Sequence, residues 1–123
     1  MTLHTQEQMR LSITRPPGSS VVFVRITGDV DLSDTETLDL AARQLLGAPG
    51  SITYVDLGGA SLVGSTLIAF LMHLADARGR IQRPLVLCRP SALGRKVIRI
   101  TGLDQVAEIQ PDLPSDWPVA VSV

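Results

Sequence analysis

The chain has 123 residues, 45% of them hydrophobic and 19% charged, with a formal net charge of −1. These values predict one globular domain, argue against disorder, and give no general attraction to nucleic acid or to an anionic membrane. The only cysteine, Cys88, excludes an internal disulfide, and its place in the apolar run PLVLC predicts a buried, unreactive thiol. The N-terminus lacks the pattern of a signal peptide, and no apolar run approaches the roughly 20 residues that span a bilayer, so we expect a cytoplasmic protein without membrane insertion.

The first elements along the chain are predicted to be two strands. Residues 9–15 (MRLSITR) alternate apolar and polar side chains, and residues 21–28 (VVFVRITG) form a more apolar run. The segment PPGSS between them consists of turn-forming residues. The pattern therefore predicts a hairpin with a loop of about five residues.

Helices and strands alternate in the rest of the chain. A helix is predicted from a capping box of Ser33 and Glu36 to Gly47, and its apolar face is expected to contain Leu38, Ala41, Ala42 and Leu45. A strand (51–57), a helix (66–80, ending at Gly79), a strand (83–89), a helix capped by Ser91 and ended by Gly102, and a short strand (104–110) follow. The order β-β-α-β-α-β-α-β predicts an α/β fold, with a mixed sheet covered by helices. Residues 1–110 are expected to form the domain, and the Pro-containing residues 111–123 an extended tail.

Motifs for catalysis, cofactors or metals are weak. The strand-to-helix turn GGASLVGST contains glycines, but it lacks the lysine of a P-loop and the spacing G-x-G-x-x-G. The two histidines are His4 and His73, and His73 lies about 12 Å along the predicted helix from Ser65, too far to serve as its base. Two distant histidines and one cysteine lack the spacing of metal ligands. We therefore expect a protein that is not an enzyme and needs no cofactor or metal.

Charge is unevenly distributed along the chain. Residues 78–99 contain seven basic and no acidic side chains, whereas residues 29–39 contain five acidic and no basic ones. This separation fits either two solvated faces or a dipolar surface that orients a partner. The basic segment has no aromatic residue on which a base could stack, which argues against RNA binding.

Two adjacent hydroxyl residues, Ser65 and Thr66, stand where the second long helix is expected to begin. Either could cap the helix by accepting a backbone N–H, a contribution of about 1 kcal/mol. The next six residues, LIAFLM, are all apolar, so one stripe can cover the sheet while Ile68, Ala69 and Met72 point elsewhere. We expect either another part of the same chain or a partner protein to bury those side chains.

A phosphate on such a hydroxyl would act as a switch. It adds about −1.5 to −2 charges, which a helix N-terminus tolerates. An apolar partner surface would oppose the same charge, because removing it from water without a counter-charge is costly.

Three ordered segments resemble STAS domains, specifically the small single-domain anti-sigma factor antagonists of bacteria. They are ITGDVDLSDTETL (26–38), YVDLGGASLVGSTLIAFL (54–71) and LVLCRPSALGRKVIRITGLDQVAEI (85–109). The resemblance implies a partner-switching regulator that binds an anti-sigma factor with a kinase fold and thereby releases a sigma factor. It also implies that the kinase phosphorylates Ser65, with Thr66 as the alternative, and that a phosphatase reverses this.

The resemblance and the apolar start of the helix together predict the partner-binding residues. They are Asp29, Asp31, Gly64, Ser65, Thr66, Leu67, Ile68 and Met72. Two of them depart from the family pattern, since Gly64 replaces an acid and Leu67 replaces a glycine. These departures favour the alternative of a constitutive STAS interaction module, in a stress-signalling complex or with the ATPase of an ABC-type lipid transport system. The sequence leaves open whether the tail around Trp117 takes part in a homodimer.

Overall fold

The computed structural model describes residues 8–47, 52–80 and 84–118, apart from the side chains of Leu62 and of residues 78–80. The strands in these ranges are β1 (Arg10–Thr14), β2 (Val21–Asp29), β3 (Ile52–Leu62), β4 (Leu85–Cys88) and β5 (Glu108–Gln110). The helices are α1 (Thr35–Leu46), α2 (Ser65–Arg80) and α3 (Ala92–Thr101), with short 3-10 helices at Leu32–Asp34 and Leu103–Gln105. We call the first of these the Leu32 turn.

The five strands form one sheet in the order β1-β2-β3-β4-β5. The pair β1/β2 is antiparallel, and every other neighbouring pair is parallel. The parallel pairs follow from the helix that connects each strand to the next, because such a crossover returns the chain in the same direction. The predicted hairpin and the predicted mixed sheet are both confirmed.

The main core lies between one face of the sheet and the helices. The strands contribute alternate apolar side chains, as period-2 burial requires, and α1 and α2 cover them. The predicted apolar face of α1 is confirmed, since Leu38, Ala41, Ala42 and Leu45 are all buried.

The opposite face of the sheet carries a smaller aromatic cluster. Phe23 stacks on Tyr54 with ring centroids 5.8 Å apart, and Trp117 from the tail meets Phe23 edge-on at 5.0 Å. The tail, expected from its prolines to be an extended segment, therefore packs on the sheet through Trp117. Residues 119–123 lie outside the described ranges.

Strand β3 continues to Leu62, five residues beyond its predicted end. The sequence GG at 58–59 is unfavourable for a strand, but pairing with β2 continues through two register shifts to Asp29↔Leu62. Gly59 fits there because a Cβ would stand 2.7 Å from the Thr27 side chain. Close approach of β2 thus explains the glycine that the sequence pattern interprets as a strand end.

The prediction that Ser33 and Glu36 form the capping box before the first helix is wrong. Asp31, and not Ser33, caps the Leu32 turn: its carboxylate accepts hydrogen bonds from the N–H and hydroxyl of Ser33. The Asp31 N–H in turn donates to Asp34 over 2.9 Å, which completes a capping box two residues earlier than expected. The predicted ends of α3 are confirmed, because the Ser91 side chain accepts from the Gly94 N–H and Gly102 adopts φ +80°.

Candidate partner-binding site

The start of α2 places the hydroxyl pair at the protein surface. The Gly64 carbonyl accepts the Ile68 N–H at 2.9 Å, so Gly64 occupies the capping position and Ser65 is the first helical residue. The predicted role of Ser65 as the cap is therefore wrong. Its side chain is exposed, whereas that of Thr66 is half-buried.

The apolar residues that follow are largely buried within the chain. Leu67 is 0% exposed and Ile68 is 8% exposed, and both belong to the main core. Met72 is half-buried and packs against that core, and of the three residues expected to point elsewhere only Ala69 is exposed. The side chains of Leu67 and Ile68 consequently cannot contact a partner, which corrects their assignment as partner-binding residues.

The segment between β2 and α1 faces the start of α2. Leu32 is 80% exposed, although it belongs to a turn that its own capping box holds in place. Asp29 ends β2 and pairs with Leu62, three residues before Ser65. Sheet pairing therefore brings the acidic segment and the hydroxyl pair to the same end of the sheet.

A groove of about 370 Å³ separates the Leu32 turn and α1 from α2. Its walls repeat at helical spacing, with four residues from α1 (Thr35, Leu38, Asp39, Ala42) and five from α2 (Ser65, Thr66, Ala69, Phe70, His73). Leu32 lines it as well. The predicted hydroxyl pair, Ser65 and Thr66, therefore lines this groove. The other predicted partner-binding residues (Asp29, Asp31, Gly64, Leu67, Ile68, Met72) do not.

Sequence reasoning missed the α1 wall and His73 as parts of this surface. The spacing i, i+3, i+4, i+7 is present at 35–42 and again at 66–73, and it is the sequence signal that could have indicated two facing helix sides. Which sides face one another depends on how α1 and α2 pack on the sheet. The resulting groove is mainly apolar, with three hydroxyls, a carboxylate and an imidazole at its walls, and it suits the docking of a protein surface.

A second cluster, centred on Asp56, was also missed. Asp56 is 0% exposed, in the middle of the apolar strand β3. Its carboxylate accepts from Arg25 Nε at 2.9 Å, from Arg89 Nε at 3.0 Å and Nη2 at 2.8 Å, and from the Gly58 N–H at 2.9 Å. The Arg25 guanidinium also lies 5.1 Å from the centroid of the Trp117 ring. An acid within an apolar strand is the sequence signal for such a buried pair.

The electrostatics of this cluster favour a charged Asp56. Burial alone would raise the pKa of Asp56, but the hydrogen bonds from Arg89, the Gly58 N–H and Arg25 outweigh it and hold the pKa below the ordinary value. Burial also raises the pKa of the neighbouring Cys88 to about 11, and the Asp56 charge adds to this effect. The expectation that the Cys88 thiol is buried is confirmed, and its raised pKa disfavours the reactive thiolate at neutral pH.

The Asp56 cluster links three neighbouring strands, since Arg25 lies on β2, Asp56 on β3 and Arg89 directly after β4. Arg89, directly after β4, adopts φ +55°, and its side chain crosses Gly58, where a Cβ would stand 2.7 Å from Arg89 Nε. A further contact fixes the segment before Ser65, because Val63 is buried against Gly94 of α3. The cluster thus positions backbone and offers no nucleophile paired with a base.

Within the described ranges there is no group of three or more His, Cys, Asp or Glu residues able to hold a metal ion. Among the helices in those ranges, none combines the length and the apolar character needed to cross a bilayer.

Comparison with known proteins identifies a family and a fold. The family model described as "Mlab, STAS domain" matches residues 6–111. No curated protein sequence matches the chain significantly.

Solved structures with the same fold include several anti-sigma factor antagonists. One from Mycobacterium paratuberculosis superposes with a TM-score of 0.74 at 20% identity, over 86% of this chain and 88% of that one. The phosphorylated form of the Bacillus cell fate determinant SpoIIAA gives a TM-score of 0.68 at 15% identity, over 87% and 94% of the two chains. An anti-sigma-factor antagonist (STAS) domain protein from Planctomyces limnophilus gives 0.62 at 20% identity, over 83% and 89%. At these identities the likeness establishes the fold alone.

Proposed function

The chain belongs to the STAS domain family, and on this premise we propose that it is an anti-sigma factor antagonist that switches between partners. It binds an anti-sigma factor with a kinase fold in the cytoplasm and thereby frees a sigma factor. Phosphorylation of Ser65 by that kinase ends the binding, and a phosphatase restores it. The protein acts by binding and is not itself an enzyme.

One observation carries this proposal: an exposed hydroxyl, Ser65, stands at the first position of a helix and also lines an apolar groove. The position leaves the hydroxyl accessible to a kinase. It also makes the hydroxyl part of any surface that docks in the groove. Thr66, the alternative acceptor, is half-buried and therefore less accessible.

The consequences of a phosphate at this position differ for the fold and for binding. The first-turn N–H groups of α2 and the helix dipole favour a negative charge at Ser65, so the fold is expected to persist. Asp39 lines the same groove, and Asp29 and Asp31 belong to the adjacent acidic segment. A docked partner would have to bury the new charge close to these carboxylates, which opposes binding.

In a second candidate function, the groove binds a partner but phosphorylation of Ser65 does not control the binding. In this alternative the chain is a constitutive STAS interaction module, in a stress-signalling complex or with the ATPase of an ABC-type lipid transport system. Gly64 favours it, because the position before Ser65 lacks the acid of the antagonist pattern. The second departure, Leu67, bears less on the choice, since its side chain faces the core and not a partner.

The test is capture of the anti-sigma kinase, taken from a neighbouring gene, by wild type, Ser65→Ala, Ser65→Asp and the control Ser61→Asp. Ser61 is also exposed but does not line the groove. Ser61→Asp therefore adds the same negative charge as Ser65→Asp, but outside the groove. We expect Ser65→Asp to weaken binding about tenfold or more, and the other variants to bind like wild type. Equal binding by all four proteins would rule out the switch.

Incubation with the kinase and ATP, followed by intact mass, separates the two candidate functions. The switch predicts a species heavier by about 80 Da, one phosphate, that is missing from Ser65→Ala. A kinase that binds the wild type yet leaves its mass unchanged supports the constitutive module.

A further inference from the structure

A second cleft shares no lining residue with the groove. It has a volume of about 330 Å³ and is bounded by α3, the second 3-10 helix and β5. Ile98, Ile109 and Pro111 form its apolar lining, and the charged residues Arg95, Arg99 and Asp104 line it as well. Ile98 is buried, so the floor of the cleft belongs to the packed core and is fixed in shape.

The charge of this cleft is positive. Arg95 and Arg99 are four residues apart on α3 and therefore project from the same side of the helix. Both are exposed, and in the described part of the chain neither forms an ion pair. Asp104 offsets only one of the two guanidinium charges. The cleft therefore fits an apolar side chain that is flanked by carboxylates.

The same chain carries such a group on the Leu32 turn. Leu32 is the most exposed of the large hydrophobic side chains in the described ranges, at 80%. Asp31 and Asp34 flank it, and their reciprocal capping bonds hold the turn rigid. One oxygen of each carboxylate takes no part in the cap. A pre-formed turn loses little conformational entropy when it binds.

The geometry points to head-to-tail self-association, in which the Leu32 turn of one copy inserts into the Arg95/Arg99 cleft of the next. Leu32 meets the accessible apolar lining formed by Ile109 and Pro111. The carboxylates beside Leu32 meet the two guanidiniums, and this charge pairing sets the direction of approach. Since the turn and the cleft are different surfaces, the contact is heterologous and extends into chains or closes into a ring.

Charge and shape together favour a second copy over other occupants. A lipid bilayer or a nucleic acid supplies the anionic groups, but neither presents a single apolar side chain on a rigid acidic turn to a concave cleft. The inference does not depend on the proposed function, since it requires only this chain. It does affect the groove, because Leu32 is one of the residues that line it and self-association would cover this side chain.

The experiment is sedimentation velocity over a range of concentrations, at low ionic strength and in high salt. The proteins are wild type, Leu32→Asp, the double variant Arg95→Glu/Arg99→Glu and the control Leu40→Asp. All four positions are exposed, and circular dichroism checks that each variant folds. Leu40 is an exposed leucine of α1 outside both surfaces, so it controls for the loss of an apolar side chain.

We expect wild type and Leu40→Asp to associate with rising concentration, less so in high salt, and Leu32→Asp and the double variant to associate about tenfold more weakly or not at all. The decisive sample mixes the last two. Leu32→Asp keeps its cleft and the double variant keeps its turn, so the mixture should form a dimer that grows no further. Wild type that stays monomeric throughout overturns the proposal, as does a mixture that stays monomeric while wild type associates.

Discussion

Asp56 shows how a single side chain can be obvious in the sequence and still remain uninterpreted. The run YVDLG places an acid in a strand that is otherwise apolar, a pattern that signals a paired, buried charge. Its partners Arg25 and Arg89 are 31 and 33 residues away, so no local sequence motif links them to Asp56. Only the register of β2, β3 and β4 brings the three together.

Replacing Asp56 by Asn is expected to lower the free energy of unfolding at neutral pH by about 2 kcal/mol, because the hydrogen bonds to the two arginines lose their charge. The folded-state pKa of Asp56 lies below its unfolded value. The stabilisation is therefore fully present above the unfolded pKa, about 3.9, and is lost as pH falls through the folded pKa. Urea unfolding of wild type and variant across this pH range measures the difference.

The matched control for this prediction is Asp112→Asn, a change at an exposed aspartate of the tail. It should unfold like wild type at every pH. A stability difference between wild type and Asp56→Asn that stays constant down to strongly acidic pH would show that charge is not the reason for the effect.

The start of α2 illustrates what a local pattern predicts about an element and what it does not. The apolar run after Ser65 predicts the helix correctly, because helix formation follows residues close in sequence. The pattern predicted that either Ser65 or Thr66 caps the helix, since both serine and threonine are favoured capping residues. The structure gives that position to Gly64, because β3 and the turn after it run on to Gly64 before the helix begins.

Gly64→Asp is expected to stabilise the protein by about 0.5 kcal/mol, because an aspartate at the capping position accepts a first-turn N–H and complements the helix dipole. The site accepts a side chain, since a Cβ on Gly64 has nothing within 4 Å. Thermal unfolding compares it with wild type and with the control Gly64→Ala, which adds a Cβ but no carboxylate. If Gly64→Asp is no more stable than Gly64→Ala, the position is not the cap.

The sheet is covered on both faces by segments far apart in sequence. The helices cover one face, and the tail covers part of the other through the contact of Trp117 with Phe23. The tail was predicted as a separate segment after residue 110, a division that stays a prediction. The contact itself indicates that the tail contributes to the stability of the domain.

Trp117→Ala is expected to lower the free energy of unfolding by about 2 kcal/mol, since it removes the ring that packs on Phe23 and on the Arg25 guanidinium. Trp117→Phe keeps an aromatic edge and should recover most of this. Chemical denaturation followed by far-ultraviolet circular dichroism measures all three proteins, because the only tryptophan is the residue being changed. A variant as stable as wild type would mean that the tail does not stabilise the sheet.

The order of elements, the mixed sheet and the STAS family could be predicted from the sequence alone, because apolar periodicity, caps and motif spacing are properties of neighbouring residues. The sequence also indicated Ser65 and Thr66 as candidate site residues, and both line the groove. It could not show that Leu67 and Ile68 turn into the core, or that α1 supplies the opposite wall. Packing of the helices on the sheet decided these points, and it also decided the partners of Asp56 and the contact of Trp117. Each of them joins residues distant in the chain, and a local pattern carries no information about which distant surfaces meet.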